Sequence, residues 1–292
     1  MNEVRLPQGT ISYRELGGGE PIVLVHGLLT NGELWRDVAP KLASDFRVIV
    51  PDWPLGSQKI PLDPGADLSP PGLARLIADF LSALGLGNVT LVGNDTGGAI
   101  CQLVAVNHPE RIGRLVLTPC DAYENFLPPA FRPLQVLARI PGSVYLIAQS
   151  LRPRAAHRLP LAYGWIMKRR DDSLTTAWLE PARTSRAIRR EVASILKGIS
   201  PRYTLEAAEH FGEFRKPVLI AWAPEDRFFK LRYAERMAEA FPDARLELIE
   251  DSYTFVSLDQ PERTAELISA FAREPARDAP AAPQATQSVA PE

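Results

Sequence analysis

Histidine and cysteine are scarce in this chain, four and two among 292 residues. Cys101 and Cys120 form no C-x-x-C pair and no Cys/His cluster, which excludes a thiolate zinc site. Both are flanked by apolar residues and are expected to pack as small hydrophobes. Long apolar runs are missing too: none approaches the ~20 residues needed to span a bilayer. The net charge is −2 and no basic block stands out, so neither nucleic acid nor an anionic membrane is expected as a partner. The arginine-rich piece from Arg152 to Arg158 reads as a solvated helix face. The opening MNEVRLPQGT lacks a basic start followed by an apolar core, so no signal peptide is expected and the setting is expected to be cytoplasmic. There is no P-loop, no G-x-G-x-x-G and no metal-ligand spacing, and neither a cofactor nor a metal is expected.

What is present is ordinary globular composition with 46% hydrophobic and 23% charged residues, enough for one large domain with an insertion. TISYREL, Thr10 to Leu16, alternates as a strand, and PIVLVHG, Pro21 to Gly27, is the continuous apolar run of a strand covered on both faces. A helix is expected over Glu33 to Ala43, then a strand ending at Asp52, read as a structural carboxylate. Ser69 followed by Pro70 and Pro71 caps a helix. Leu73, Leu76, Ile77, Phe80, Leu81 and Leu84 carry its apolar stripe. Strand, helix and strand follow to Thr118. This alternation means a mostly parallel twisted sheet with helices on both faces. From Ala122 to Ala208 the pattern is mostly helical, broken at PPAF, IPGS and SPRY. Strand Pro217 to Ala223, helix Arg232 to Ala240, strand Ala244 to Glu250 and helix Glu262 to Phe271 resume the alternation. The expected organisation is a core over residues 1–121 and 209–272, a helical cap over 122–208 and a disordered tail over 273–292. A cap there would roof the crevice at the carboxyl ends of the strands.

The stretch LVGNDTGGA, Leu91 to Ala99, falls between an expected strand and an expected helix. Glycines flank a central Asp95 at the spacing of a strained nucleophile turn, where bulk two positions away would clash. With these residues the chain, from Val4 to about Ala272, resembles the α/β-hydrolase superfamily, which implies the α/β-hydrolase fold with an inserted helical cap. In that likeness His26-Gly27 resembles the family's HG loop, implying an oxyanion site from the N–H groups of Leu28 and Thr96. Asp226 stands at the position of the family's acid, and Asp121 at a second position that another branch uses. DSYTFVSLDQPE, Asp251 to Glu262, resembles the histidine loop, with Thr254 where the histidine belongs and Tyr253 beside it.

An aspartate nucleophile points within the superfamily to haloalkane dehalogenases and epoxide hydrolases, because a carboxylate suits displacement at an sp³ carbon. Thr96 stands where those enzymes usually carry tryptophan. The expected function is hydrolysis of a small, mostly apolar epoxide, halide or ester through Asp95, with an atypical triad lacking histidine. The alternatives are proton transfer by Asp95 in a lyase, isomerase or cyclase, or a binding protein without turnover. Of the histidines, His26 is expected to be structural, His108 and His210 to lie away from the site, and His157 to be the one that could reach it from the cap. The partner is expected to be a small molecule, and the chain a monomer or homodimer.

Overall fold

A computed structural model describes residues 1–274. The chain opens with a hairpin of β1 (Asn2–Leu6) and β2 (Gly9–Leu16), with Leu6 opposite Gly9 and Val4 opposite Ile11. Strand β1 adds a partner to the strand expected at Thr10 to Leu16. β3 (Pro21–Val25) follows, then α1 (Ala39–Leu42) and β4 (Arg47–Pro51). The single helix expected over 33–43 is instead a 3₁₀ turn, Gly32–Trp35, and the short α1. Pro40 has no N–H to continue a helix, so the chain restarts there. The Asn31 side chain accepts from the Glu33 N–H at the front of the turn.

Helix α2 (Pro70–Ala83) begins as expected, with the Ser69 hydroxyl accepting from the Gly72 N–H at 3.2 Å. β5 (Val89–Asp95) runs directly into α3 (Thr96–Asn107), and β6 (Ile112–Cys120) completes the first half. Helices then follow without a strand: α4 (Arg132–Leu137), α5 (Ser143–Ser150), α6 (Asp172–Thr184), α7 (Arg186–Gly198) and α8 (Pro201–Glu209). The break expected at SPRY is the start of α8, where the Ser200 hydroxyl accepts from Arg202 and Pro201 is the first helical residue, the place a helix tolerates proline best. β7 (Val218–Trp222), α9 (Leu231–Ala240), β8 (Ala244–Leu248), α10 (Val256–Asp259) and α11 (Pro261–Ala272) return to the alternation. Of the tail expected from Arg273, the first two residues are described: Arg273 pairs with Asp45 and Glu274 with Arg245. Residues 275–292 lie outside the described residues.

The eight strands form one sheet in the order β1-β2-β4-β3-β5-β6-β7-β8. β1, β2 and β4 pair antiparallel, and every pair from β4 onward is parallel. The chain leaves β3 toward β4 on one side and then crosses to β5 on the other. The strand order therefore reverses between β3 and β5, which opens a crevice at their carboxyl ends. Alternate side chains feed two cores. Val23, Val25, Leu91 and Leu117 pack with α2 and α3 on one face. Ile22, Leu24, Val92 and Val116 pack with Trp35, Leu42, Ile268 and Phe271 on the other. Each such buried side chain contributes roughly 1.5–3 kcal/mol.

The inserted helices are fastened to the sheet's crevice edge by polar contacts. The Trp178 indole donates to Asn31 Oδ1 at 2.8 Å, Ser57 Oγ donates to the Trp178 carbonyl at 2.7 Å, and Tyr163 Oη donates to the Leu29 carbonyl at 2.8 Å. Glu191 of α7 accepts from Gln58 Nε2 at 2.5 Å and from the Leu62 N–H at 2.7 Å.

Candidate active site

Asp95 ends β5 with φ 53° and ψ −133°, in the region that favours glycine. Such strain persists only where the surroundings over-determine it, and here they do. A Cβ on Gly97 would stand 2.2 Å from the His26 carbonyl oxygen, and one on Gly27 would stand 2.1 Å from Asp95 Oδ2. The β3 loop and the start of α3 thus approach closer than any side chain would permit. In the otherwise buried run from Val89 to Ala105, Asp95 alone is partly exposed. It faces a cavity of about 180 Å³.

One carboxylate oxygen, Oδ2, accepts from the Leu28 N–H at 3.2 Å, and the neighbouring Thr96 N–H also favours the ionised carboxylate. Burial raises the Asp95 pKa to about 7; the two N–H groups oppose the rise and the nearby Asp226 carboxylate adds to it. Asp226 is buried beside it. Its Oδ1 accepts from the N–H groups of Phe228 and Phe229, each at 2.7 Å, and its Oδ2 from the Thr254 hydroxyl at 2.8 Å. Desolvation lifts its pKa to about 6 in spite of these donors. Thr254 lines the cavity, so its hydroxyl stands between the cavity and Asp226. Asp121 is buried behind Thr96, whose hydroxyl lies 3.4 Å from Asp121 Oδ2, and its Oδ1 has no partner. Burial, then the Asp95 charge, push its pKa far above the ordinary carboxylate range.

No histidine lines the cavity. His26 is a structural residue of the loop. Its Nε2 accepts from the Trp53 N–H at 2.9 Å, which places the hydrogen on Nδ1, 2.9 Å from the Gly27 carbonyl. Burial lowers its pKa to about 4, so it is neutral. His157 does not reach the site: it is buried among the inserted helices, with its ring nitrogens on Thr175 Oγ1 and the Leu151 carbonyl at 2.8 and 2.7 Å. His108 caps the far end of α3, and His210 pairs with Glu213 at 2.9 Å. Tyr253 also turns away. Its hydroxyl accepts from Arg227 at 2.9 Å, and its ring lies 5.1 Å from Lys168 Nζ and 5.0 Å from the Arg227 guanidinium.

Asn94 is a site residue that reading along the sequence missed. Its Nδ2 reaches Thr118 Oγ1 at 2.9 Å, the Pro119 carbonyl at 3.1 Å and the Thr254 carbonyl at 2.8 Å. It ties the turn to β6 and to the loop carrying Thr254. The one available signal was an amide in an apolar strand. Tyr163 forms part of the cavity wall. Most of the rest of the wall is apolar, with Leu127, Phe131, Leu134, Ile147 and Leu161 from the insertion facing Leu28, Leu29, Phe228 and Phe229. Among the described residues, no group of three His, Cys, Asp or Glu side chains could hold a metal.

The fold has counterparts in known proteins. The model of the alpha/beta hydrolase fold family matches residues 20–261, and the chain belongs to that family. It is 29% identical to haloalkane dehalogenase 2 of Mycobacterium tuberculosis, over 89% of this chain and 91% of that protein. It is 25% identical to 2-hydroxy-6-oxo-6-phenylhexa-2,4-dienoate hydrolase of Burkholderia cepacia, over 84% of this chain and 85% of that one. A solved structure of a thermophilic esterase from Thermogutta terrifontis is similar in fold, with TM-score 0.74 and 22% identity over 94% of this chain and 98% of that one.

Proposed function

We propose that this protein is a hydrolase of small apolar molecules that works through Asp95 as a nucleophile, beneath a helical cap spanning residues 122–208. The observation that carries the reading is the carboxylate itself. It is partly exposed on the floor of an apolar cavity, with Oδ2 held by the Leu28 N–H and the Thr96 N–H nearby favouring its charge. The other oxygen attacks an sp³ carbon of an epoxide or alkyl halide; a C–O bond to Asp95 forms as the ring C–O bond breaks, leaving an alkoxide on the bound group that takes a proton from water, or as the C–halogen bond breaks and halide departs. An activated ester would instead be attacked at its carbonyl, giving an anhydride as the alkoxide is expelled. In either adduct, the N–H pair is positioned to stabilise the oxyanion that forms when water adds to Asp95 Cγ. The similarity to a haloalkane dehalogenase supports displacement chemistry, and Thr96, with no indole N–H to bind halide, favours an oxygen leaving group.

Without a cavity histidine, water needs another base. Thr254 Oγ1 donates to Asp226 Oδ2 at 2.8 Å, so the hydroxyl is free to accept from a water in the cavity. A proton passing from that water through Thr254 reaches Asp226. The Asp226 pKa of about 6 is close to the ordinary imidazole value of about 6.5, and basicity near the working pH is what a general base requires. Thr254→Val tests this step. It breaks the relay while keeping the side chain's volume, so the covalent intermediate should form and persist. Undiminished turnover in Thr254→Val would refute the relay. A second reading, proton transfer by Asp95 without a covalent intermediate, is favoured by the Asp95 pKa of about 7. It predicts turnover lost in Asp95→Asn with no adduct in any variant.

A further inference from the structure

The net charge of −2 conceals a division of the chain. Residues 122–208 carry fourteen Lys and Arg against six Asp and Glu, net +8; the remainder carries nineteen against twenty-nine, net −10. Between Glu124 and Asp171 lie 46 residues without one carboxylate and with eight basic side chains, although 35 of the 292 residues are acidic. The same stretch holds eight of the eleven exposed large hydrophobic side chains among the described residues.

These residues belong to a shell one helix thick. In α4, Leu134 lines the cavity while Val136 is 65% exposed; in α5, Ile147 lines the cavity while Leu146 is 67% exposed. Leu161 does both, lining the cavity while itself exposed, and Trp165 is exposed nearby in sequence. Around the exposed side chains stand Arg132, Arg139 and Arg152, exposed and with no side-chain partner among the described residues. Arg189 packs over the Tyr145 ring at 5.0 Å, and Ile140 shares a surface cleft with Arg186 and Arg190. Exposed apolar groups clustered in this way mark an interaction surface. Apolar groups ringed by arginines, with an interfacial tryptophan and no carboxylate in their own stretch of chain, have the chemistry of a face that lies on an anionic lipid surface. A protein partner would need an equally large acidic and apolar face of its own, whereas a bilayer supplies headgroup charge and acyl chains together.

We infer that α4, α5 and the segment through Trp165 dock this protein on anionic lipid bilayers, with Leu146, Val136 and Ile140 entering the headgroup boundary. The inference is independent of the chemistry assigned to Asp95. It also offers a route for apolar molecules, since the docked helices separate the bilayer from the cavity by a single layer. The test is flotation of the full chain with phosphatidylcholine vesicles and with phosphatidylcholine/phosphatidylglycerol vesicles, at low and physiological salt. Binding is expected only to the second, weakening as salt rises. Removing one arginine near a charged surface should lower the partition coefficient about five-fold, and Arg139→Gln/Arg152→Gln about 25-fold. Ile140→Ser/Leu146→Ser should reduce it further without changing the melting temperature. Absence of binding to anionic vesicles at low salt would overturn the inference, as would binding unaffected by both double variants. A lipid-independent dimer in sedimentation velocity, dissociated by Leu146→Ser, would assign the face to a second copy and overturn it as well.

Discussion

Replacing Asp95 by asparagine should stabilise the protein, and increasingly so as pH rises. The folded state raises the Asp95 carboxyl from the ordinary 3.8 to about 7. Between those values the folded protein holds a proton that the unfolded chain has released, so stability falls as pH rises through that window. At about 1.4 kcal/mol per pH unit, the cost is about 2 kcal/mol at pH 5 and about 4 kcal/mol at pH 8.5. Asparagine can accept from the same Leu28 and Thr96 N–H groups without a charge. The stability difference between Asp95→Asn and the parent, from urea unfolding, should therefore widen by roughly 2–3 kcal/mol between pH 5 and pH 8.5. In thermal melts this is roughly 5 °C at about 2 °C per kcal/mol. A difference constant across that range would mean that Asp95 titrates normally and would refute the burial argument. A variant less stable than the parent at pH 8.5 would mean that the carboxylate is a structural cap.

Covalent labelling of Asp95 should rise with pH with a midpoint near 7, because only the ionised carboxylate attacks; a flat profile from pH 5 to 9 would contradict it. Asp226→Asn should allow the first step and stall the second, seen as an accumulating adduct on Asp95, with a burst of one halide or alcohol per protein where the substrate carries such a leaving group, and steady-state turnover at least tenfold below the parent; equal steady-state rates would exclude Asp226 as the base. Gly97→Ala, whose Cβ would stand 2.2 Å from the His26 carbonyl, should cost roughly 1–3 kcal/mol in denaturant unfolding and abolish labelling. His157→Gln should leave labelling unchanged, since His157 does not line the cavity and its ring nitrogens are held by Thr175 and the Leu151 carbonyl.

Much of the frame is legible in the sequence because it is local. The apolar run at Pro21 to Val25, the Ser69 cap and the strand-turn-helix at Gly93 to Gly98 each declare themselves within a few residues. So does the position of Asp95. What is not legible depends on contacts across the chain. Nothing in the local sequence says that the Thr254 hydroxyl meets Asp226, 28 residues away, or that Tyr253 turns outward to Arg227. Asn94 links three segments, and a pattern along one strand cannot reveal that. Pro40 and Pro201 mislead in opposite ways, one interrupting an expected helix and the other opening one where a break was expected. Net charge hid most, because an average over the chain erases the opposition between the inserted helices and the rest.

Intact-protein mass measured after exposure to a panel of small epoxides, alkyl halides and activated esters tests the central claim most directly. An added mass corresponding to one ester or anhydride on Asp95 is expected, strongest in Thr254→Val and missing in Asp95→Asn. Turnover that needs Asp95 without an adduct in Thr254→Val or Asp226→Asn would contradict covalent catalysis in favour of proton transfer. Neither adduct nor turnover across the panel would contradict the hydrolase reading itself.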